Sequence, residues 1–172
     1  KKSYSFANVG FGDKNVFPEF RFMYSYYLTL GKGFETEIGY RYNQQQDIKL
    51  SSGIFALGKY FKNNWINLRT SFLISEPKLY PSFTSTFRHY YNTKYDYFSI
   101  NLGYGTSPDE RETLTQFQDR IALTSYRFGA GYSKLFAKKY VIGVNTGFNN
   151  QEYFPEKFQN EYNISIDLTY LF

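Results

Sequence analysis

The sequence predicts an all-β fold, a transmembrane antiparallel up-and-down β-barrel of about ten strands, with eight or twelve as alternatives. Aromatic side chains make up 23% of the 172 residues although the mean hydropathy is only -0.53. No stretch approaches the roughly 18 apolar residues of a membrane-spanning helix. Residues 164–172 alternate strictly between apolar and polar side chains. A barrel wall combines these features, because lipid-facing residues alternate with lumen-facing ones and aromatic residues gather at the two membrane interfaces.

Turn signals divide the chain into ten extended segments, and about 9–11 tilted residues suffice to cross a bilayer. We place the segments at 2–11, 18–30, 34–45, 48–61, 65–75, 82–92, 96–106, 122–136, 140–151 and 161–172. The first segment has the weakest alternation. The fourth is ambiguous, since residues 54–57 offer apolar atoms to both faces.

The connections alternate in length along the chain. We expect tight turns at 31–33, 62–64, 93–95 and 137–139, and longer polar connections near 12–17, 44–47, 76–82, 107–121 and 152–160. Outer-membrane barrels have short periplasmic turns and long external loops. The pattern therefore predicts a bacterial outer-membrane location with both termini in the periplasm.

Alternation also assigns faces to individual strands. We expect these residues to face lipid: Phe20, Phe22, Tyr24, Tyr26, Leu28, Phe98, Ile100, Leu102, Tyr104, Ile142, Val144 and Phe148. An Arg or Lys at mid-bilayer on the lipid face costs about 2–4 kcal/mol, so the charged residues at alternate positions should point inward. We expect them to form a lumen charge network: Arg21, Glu35, Glu37, Arg41, Arg69, Arg88, Arg127 and Asp167. A cation-lined pore for anionic solutes is the alternative interpretation.

The C-terminal strand resembles the assembly signal of outer-membrane barrels, in which a terminal Phe follows an aromatic residue two positions earlier. The residues of this predicted signal are Ile164, Ile166, Leu168, Tyr170 and Phe172. The resemblance implies two partners, the β-barrel assembly machinery during insertion and outer-membrane lipid thereafter.

The composition argues against several other functions. The chain has no cysteine and a single histidine, His89, so we expect no metal site, no cofactor and no Ser-His-Asp chemistry. The formal charge is +5, but lysines and arginines are dispersed singly, which does not favour a nucleic-acid partner. We therefore expect a non-enzymatic protein.

Two features of the connections have open interpretations. The segment Ser107, Pro108, Asp109, Glu110, Arg111 and Glu112 has the signature of a helix start, and it is either an external docking surface or a solvated lid. Each tight turn also carries a lysine next to an aromatic or apolar strand end. These lysines either contact anionic lipid headgroups or are ordinary solvated turn residues.

We treat residues 1–172 as one barrel domain. The sequence starts without a visible signal peptide, so we expect a processed chain that lacks its export signal. An upstream periplasmic domain in the full protein is compatible with this expectation.

Three stretches resemble the YaiO family of outer-membrane β-barrels: 103–110, 125–132, and 150–153 followed by 160–162. The resemblance covers mainly the second half of the chain and, more loosely, the whole chain. The resemblance implies an outer-membrane barrel and supplies no catalytic residues. Our leading hypothesis is an accessory or scaffold subunit of an envelope complex, concerned with export, assembly or polysaccharide, whose partners are neighbouring outer-membrane or periplasmic proteins. A narrow small-solute channel and an outer-membrane hydrolase are the alternatives.

Overall fold

The computed structural model describes residues 2–12, 19–45, 48–75, 78–105, 124–154 and 156–172. They form ten strands. The bounds are β1 Ser3–Phe11, β2 Phe20–Gly31, β3 Phe34–Gln45, β4 Ile48–Phe61, β5 Asn64–Ser75, β6 Lys78–Tyr90, β7 Tyr97–Gly105, β8 Ser125–Phe136, β9 Tyr140–Phe154 and β10 Lys157–Tyr170.

The strands form a single antiparallel sheet in chain order, from β1 to β10. Nine ladders join consecutive strands, and the longest, between β9 and β10, pairs Tyr140 with Tyr170 at one end and Phe154 with Lys157 at the other. The prediction of an all-β, up-and-down, ten-stranded architecture is confirmed. No helix among the described residues is both long and apolar enough to cross a bilayer.

The two faces of the sheet differ in burial, as the alternation predicts. On the face that we call inward, Glu37 and Ser52 are each 4% exposed and Ala56 is 1% exposed. On the outward face, Ile38 is 60% and Leu68 is 56% exposed. The ambiguous segment of β4 obeys the same alternation, since Ile54 and Ala56 are buried whereas Phe55 and Leu57 are exposed.

The tight turns have backbone conformations that L residues rarely adopt. Lys32 and Gly33 join β2 to β3 with φ angles of 51° and 81°. Lys62 in the β4–β5 turn has φ 51°, and Lys138 in the β8–β9 turn has φ 59°. The predicted turn at 93–95 is part of a longer segment between Tyr90 and Tyr97. All four turns lie at the same end of the sheet, which we call the short-turn end.

Two of the predicted long connections are wrong. The strands β5 and β6 leave only residues 76–77 between them, and β9 and β10 leave only residues 155–156. The polar and proline residues of these segments indicated loops. However, the part of a strand that extends beyond the membrane does not need an apolar face, so polar residues there can still belong to a strand. Pro81 lies one residue beyond the last β6–β7 pair, Ser82 with Gly105, so its missing N–H interrupts no β7 ladder.

Candidate functional site

The inward face carries a buried ion pair between β3 and β5, the two strands that flank β4. Glu37 on β3 pairs with the guanidinium of Arg69 on β5, and the Ser25 hydroxyl on β2 donates to the Glu37 Oε1 atom at 2.7 Å. Ala56 lies between the two charged residues in the register, and its small side chain lets Arg69 reach across β4. The Glu37 side chain is 5% exposed and that of Arg69 is 32% exposed. The pair satisfies a carboxylate that would otherwise be costly to bury.

Small residues accompany the five arginines of the described residues, all of which lie on the inward face. Each arginine has a glycine, alanine or serine directly opposite it on an adjacent strand. The register pairs are Arg21 with Gly10, Arg41 with Ser52, Arg69 with Ala56, Arg88 with Ser99, and Arg127 with Gly103. At Gly103 a Cβ atom would lie 3.3 Å from the Arg127 Cβ atom, so the space beside the arginine is already used. The small partners make room for the long side chains inside the barrel.

Arg88 lies between two aromatic rings. Its guanidinium carbon is 5.1 Å from the centroid of Trp65 and 4.9 Å from the centroid of Tyr97. Such a stack holds a cation against apolar surface. It borders a cavity of about 460 Å³ whose lining includes Trp65, Arg69, Arg88, Glu35 and Glu37.

A second inward cavity, of about 390 Å³, lies further along the sheet and is lined in part by Arg127, Asn149 and Glu161. Thr84, Thr86 and Asn101 line both cavities. The two cavities therefore adjoin, and their common wall is formed by β6 and β7.

The remaining predicted network residues share the inward face but have other contacts. The Tyr4 hydroxyl donates to Glu35 at 3.3 Å, and Asn145 donates to Asp167 at 2.9 Å. Arg21 and Arg41 lie on β2 and β3 at the opposite end from Glu35. Of the predicted eight residues, the structure brings Glu37 and Arg69 into an ion pair, and whether all eight act as one network stays a prediction.

Sequence reasoning missed a hydrogen-bonded group at the short-turn end, centred on Asp96, which we call the Asp96 clasp. The Asp96 carboxylate accepts hydrogen bonds from the Thr93 backbone N–H at 3.0 Å and hydroxyl at 2.5 Å, and from the Leu135 N–H on β8 at 2.9 Å. The Thr93 hydroxyl, followed by the Leu135 N–H, holds the pKa of Asp96 below its usual value. The Ser133 hydroxyl adds a bond to the Tyr95 carbonyl at 2.8 Å. An Asp closing a Thr-x-x-Asp turn was the available sequence signal.

Several predicted sites lie elsewhere or outside the described residues. The external segment 107–112 is outside them. Ile164, Ile166 and Leu168 of the predicted assembly signal lie on the outward face of β10 and are 77%, 75% and 70% exposed. His89 lies on the outward face of β6 and bonds through Nδ1 to the Asn64 Oδ1 atom at 2.8 Å. Within the described ranges no group of three or more His, Cys, Asp or Glu residues could hold a metal ion.

A comparison with protein families gives a match to the YaiO membrane beta barrel domain over residues 1–110, which is more than half of the chain. The chain belongs to the YaiO membrane beta barrel domain family. Neither the curated proteins nor the solved structures contain a match. Among the described residues no ladder joins β1 to β10. Membership of this family of membrane β-barrels is consistent with a closed sheet and supports an outer-membrane location.

The match corrects one part of the sequence prediction. The sequence suggests a resemblance to YaiO barrels mainly in the second half and more loosely over the whole chain, but the matched residues are 1–110. Of the three stretches that suggested the family, only 103–110 falls inside that range.

Proposed function

We propose that this chain is a non-enzymatic outer-membrane barrel that serves as an accessory or scaffold subunit of an envelope complex. The observation that carries the proposal is the ion pair of Glu37 and Arg69, in which an inward carboxylate is used to stabilise the wall. Asp167 is likewise engaged by Asn145. Inward side chains that bond to each other are not available to a ligand. They favour a structural barrel whose contacts with other molecules lie outside the lumen.

The position of the single histidine supports the same proposal. His89 faces outward and bonds to Asn64, while Glu35, Glu37 and Asp167 face inward. A hydrolase that used histidine as a general base would need the imidazole within hydrogen-bond reach of its nucleophile and of an orienting carboxylate. The proposed role therefore assigns His89 to the membrane interface.

Co-purification after mild detergent extraction tests the scaffold role. The tagged wild-type chain should fold into a heat-modifiable barrel and bring down a reproducible set of envelope proteins. A variant with Asp109→Asn, Glu110→Gln and Glu112→Gln should lose them if the external segment is the docking surface. Glu156→Gln, an exposed turn residue between β9 and β10, is the matched control. Isolation of the wild-type chain only as a free monomer would contradict the proposal.

A narrow channel is the second candidate, because the two inward cavities adjoin at Thr84, Thr86 and Asn101. Polar cavities on the inward face are a feature that a narrow channel for small solutes would need. Planar-bilayer recording separates the two functions. A channel should show discrete conductance that changes with Arg127→Gln, whereas a scaffold should show none.

A further inference from the structure

Seven lysines mark the short-turn end of the barrel, either in its turns or on the outward wall beside them. We call this set the basic rim. Its members are Lys32, Lys59, Lys62, Lys94, Lys134, Lys138 and Lys139. Six of them are exposed, and Lys59 is half-buried.

Three members of the basic rim occupy backbone positions that disfavour them. Lys32, Lys62 and Lys138 have φ angles of 51°, 51° and 59°, in the left-handed region that Gly and Asn adopt more readily. Strand pairing alone would be served better by glycine at these positions. The backbone conformation of these turns therefore does not explain why lysine occupies the three positions.

Aromatic rings fix the depth of four further members. The ammonium nitrogen of Lys59 lies 4.2 Å from the ring centroid of Phe34, and that of Lys94 lies 4.9 Å from Tyr95. Those of Lys134 and Lys139 lie 5.9 Å from the rings of Phe136 and Tyr170. Aromatic residues at barrel ends occupy the headgroup level of a membrane. The lysines beside them hold their charges at that level.

Most nearby carboxylates are directed elsewhere, although Asp96 interacts with Lys134 of the basic rim. Glu35, Glu37 and Asp167 face the lumen, and Asp96 accepts hydrogen bonds from its own turn and from Leu135. The outward surface of the short-turn end is thus cationic at headgroup depth. From this placement we infer that the basic rim binds the phosphate groups of anionic glycerophospholipids in the adjoining membrane leaflet.

Native mass spectrometry of the full chain tests this inference. The chain is released from micelles or nanodiscs that contain equimolar phosphatidylglycerol and phosphatidylcholine, and the bound lipids are counted. Wild type should retain phosphatidylglycerol preferentially. Replacing Lys32, Lys62 and Lys138 by Gln should weaken that preference by up to about fivefold per lysine. The triple Arg variant should keep it.

Lysines at the opposite end provide the control, since Lys49→Gln with Lys157→Gln removes two positive charges without touching the basic rim. The losses are compared per lysine replaced. A heat-modifiability gel confirms that each variant is folded. Equal retention of both lipids by wild type would overturn the inference and leave the rim to an acidic protein partner. An equal loss in the control pair, or a loss in the Arg variant, would overturn it as well.

Discussion

At the residue scale, the inward face is organised by matching long cations to small neighbours. Arg69 reaches Glu37 because Ala56 is the intervening residue, and Arg127 lies beside Gly103 for the same reason. The Glu37 carboxylate is almost completely buried, and its bonds to Arg69 and to the Ser25 hydroxyl offset the free-energy cost of burying its charge. The pair is thus a local determinant of how β2, β3 and β5 are held together.

Removing one partner of this pair should destabilise the barrel. For Glu37→Gln we expect a loss of roughly 2 kcal/mol, below the range for fully buried pairs because Arg69 is partly exposed. Urea unfolding in lipid vesicles measures the change. In the double variant Glu37→Gln with Arg69→Met, the loss should be smaller than the sum of the single losses. Additive losses would show that the two residues do not interact.

The Asp96 clasp should make stability depend on acid. Because the folded-state pKa of Asp96 lies below its unfolded value, its contribution is present above about pH 4 and is lost as pH falls through the folded value. The temperature at which the barrel unfolds on a gel, measured between pH 7 and pH 2, should fall at the acid end. Asp96→Asn should flatten that part of the profile. An unchanged profile in the variant would assign the acid sensitivity to other carboxylates.

At the element scale, two glycines in the strands differ in the space that surrounds them. A Cβ atom at Gly131 on β8 would lie 2.5 Å from the Asn145 Oδ1 atom and 2.7 Å from the Ser99 hydroxyl. At Gly53, on the outward face of β4, a Cβ atom would meet nothing within 4 Å. The two glycines have different reasons to be small.

This difference gives a paired test. Gly131→Ala should destabilise the barrel by about 1–3 kcal/mol, because Asn145 and Ser99 must move. Gly53→Ala should leave stability within about 0.5 kcal/mol of wild type. Both are measured by the urea midpoint under identical conditions. Similar midpoints for the two variants would mean that the inward face tolerates the added carbon.

Much of this organisation could be predicted from the sequence, and the failures have physical causes. Alternation of apolar and polar residues predicted the faces of β2, β7 and β9, because polar side chains such as Arg21, Asn101 and Asn145 are costly in hydrocarbon. It could not give register, which depends on the number of residues in each turn, so the reach of Arg69 over Ala56 was not foreseen. The strand extensions at 78–81 and 152–154 were missed because polar residues outside the membrane look the same in a strand as in a loop.

At the scale of the whole molecule, the strands are unequal in length and the surplus is polar. β9 has 15 residues and β10 has 14, more than the roughly 9–11 that cross a bilayer. Their outward face changes from apolar at Phe148 and Tyr162 to the hydrogen-bonded pair of Asn150 and Asn160, at 2.7 Å. That end of the hairpin should stand in water, opposite the short-turn end.

Because the chain has no cysteine, single cysteines report orientation without background. If the short turns are periplasmic, Asn160→Cys should react with a membrane-impermeant maleimide in intact cells. Lys139→Cys should react only after the outer membrane is permeabilised. The reverse pattern would place the short turns outside. Labelling of both positions in purified barrel controls for accessibility.

The Asp96 clasp bears on how far the fold needs an unbroken chain. Eight register pairs join β7 to β8, and the bond from Leu135 to Asp96 adds a link at the short-turn end. None of these contacts depends on the covalent path through residues 106–123. Two separately synthesised polypeptides, 1–105 and 124–172, would retain these β7–β8 contacts, so we expect them to recognise each other and assemble by fragment complementation.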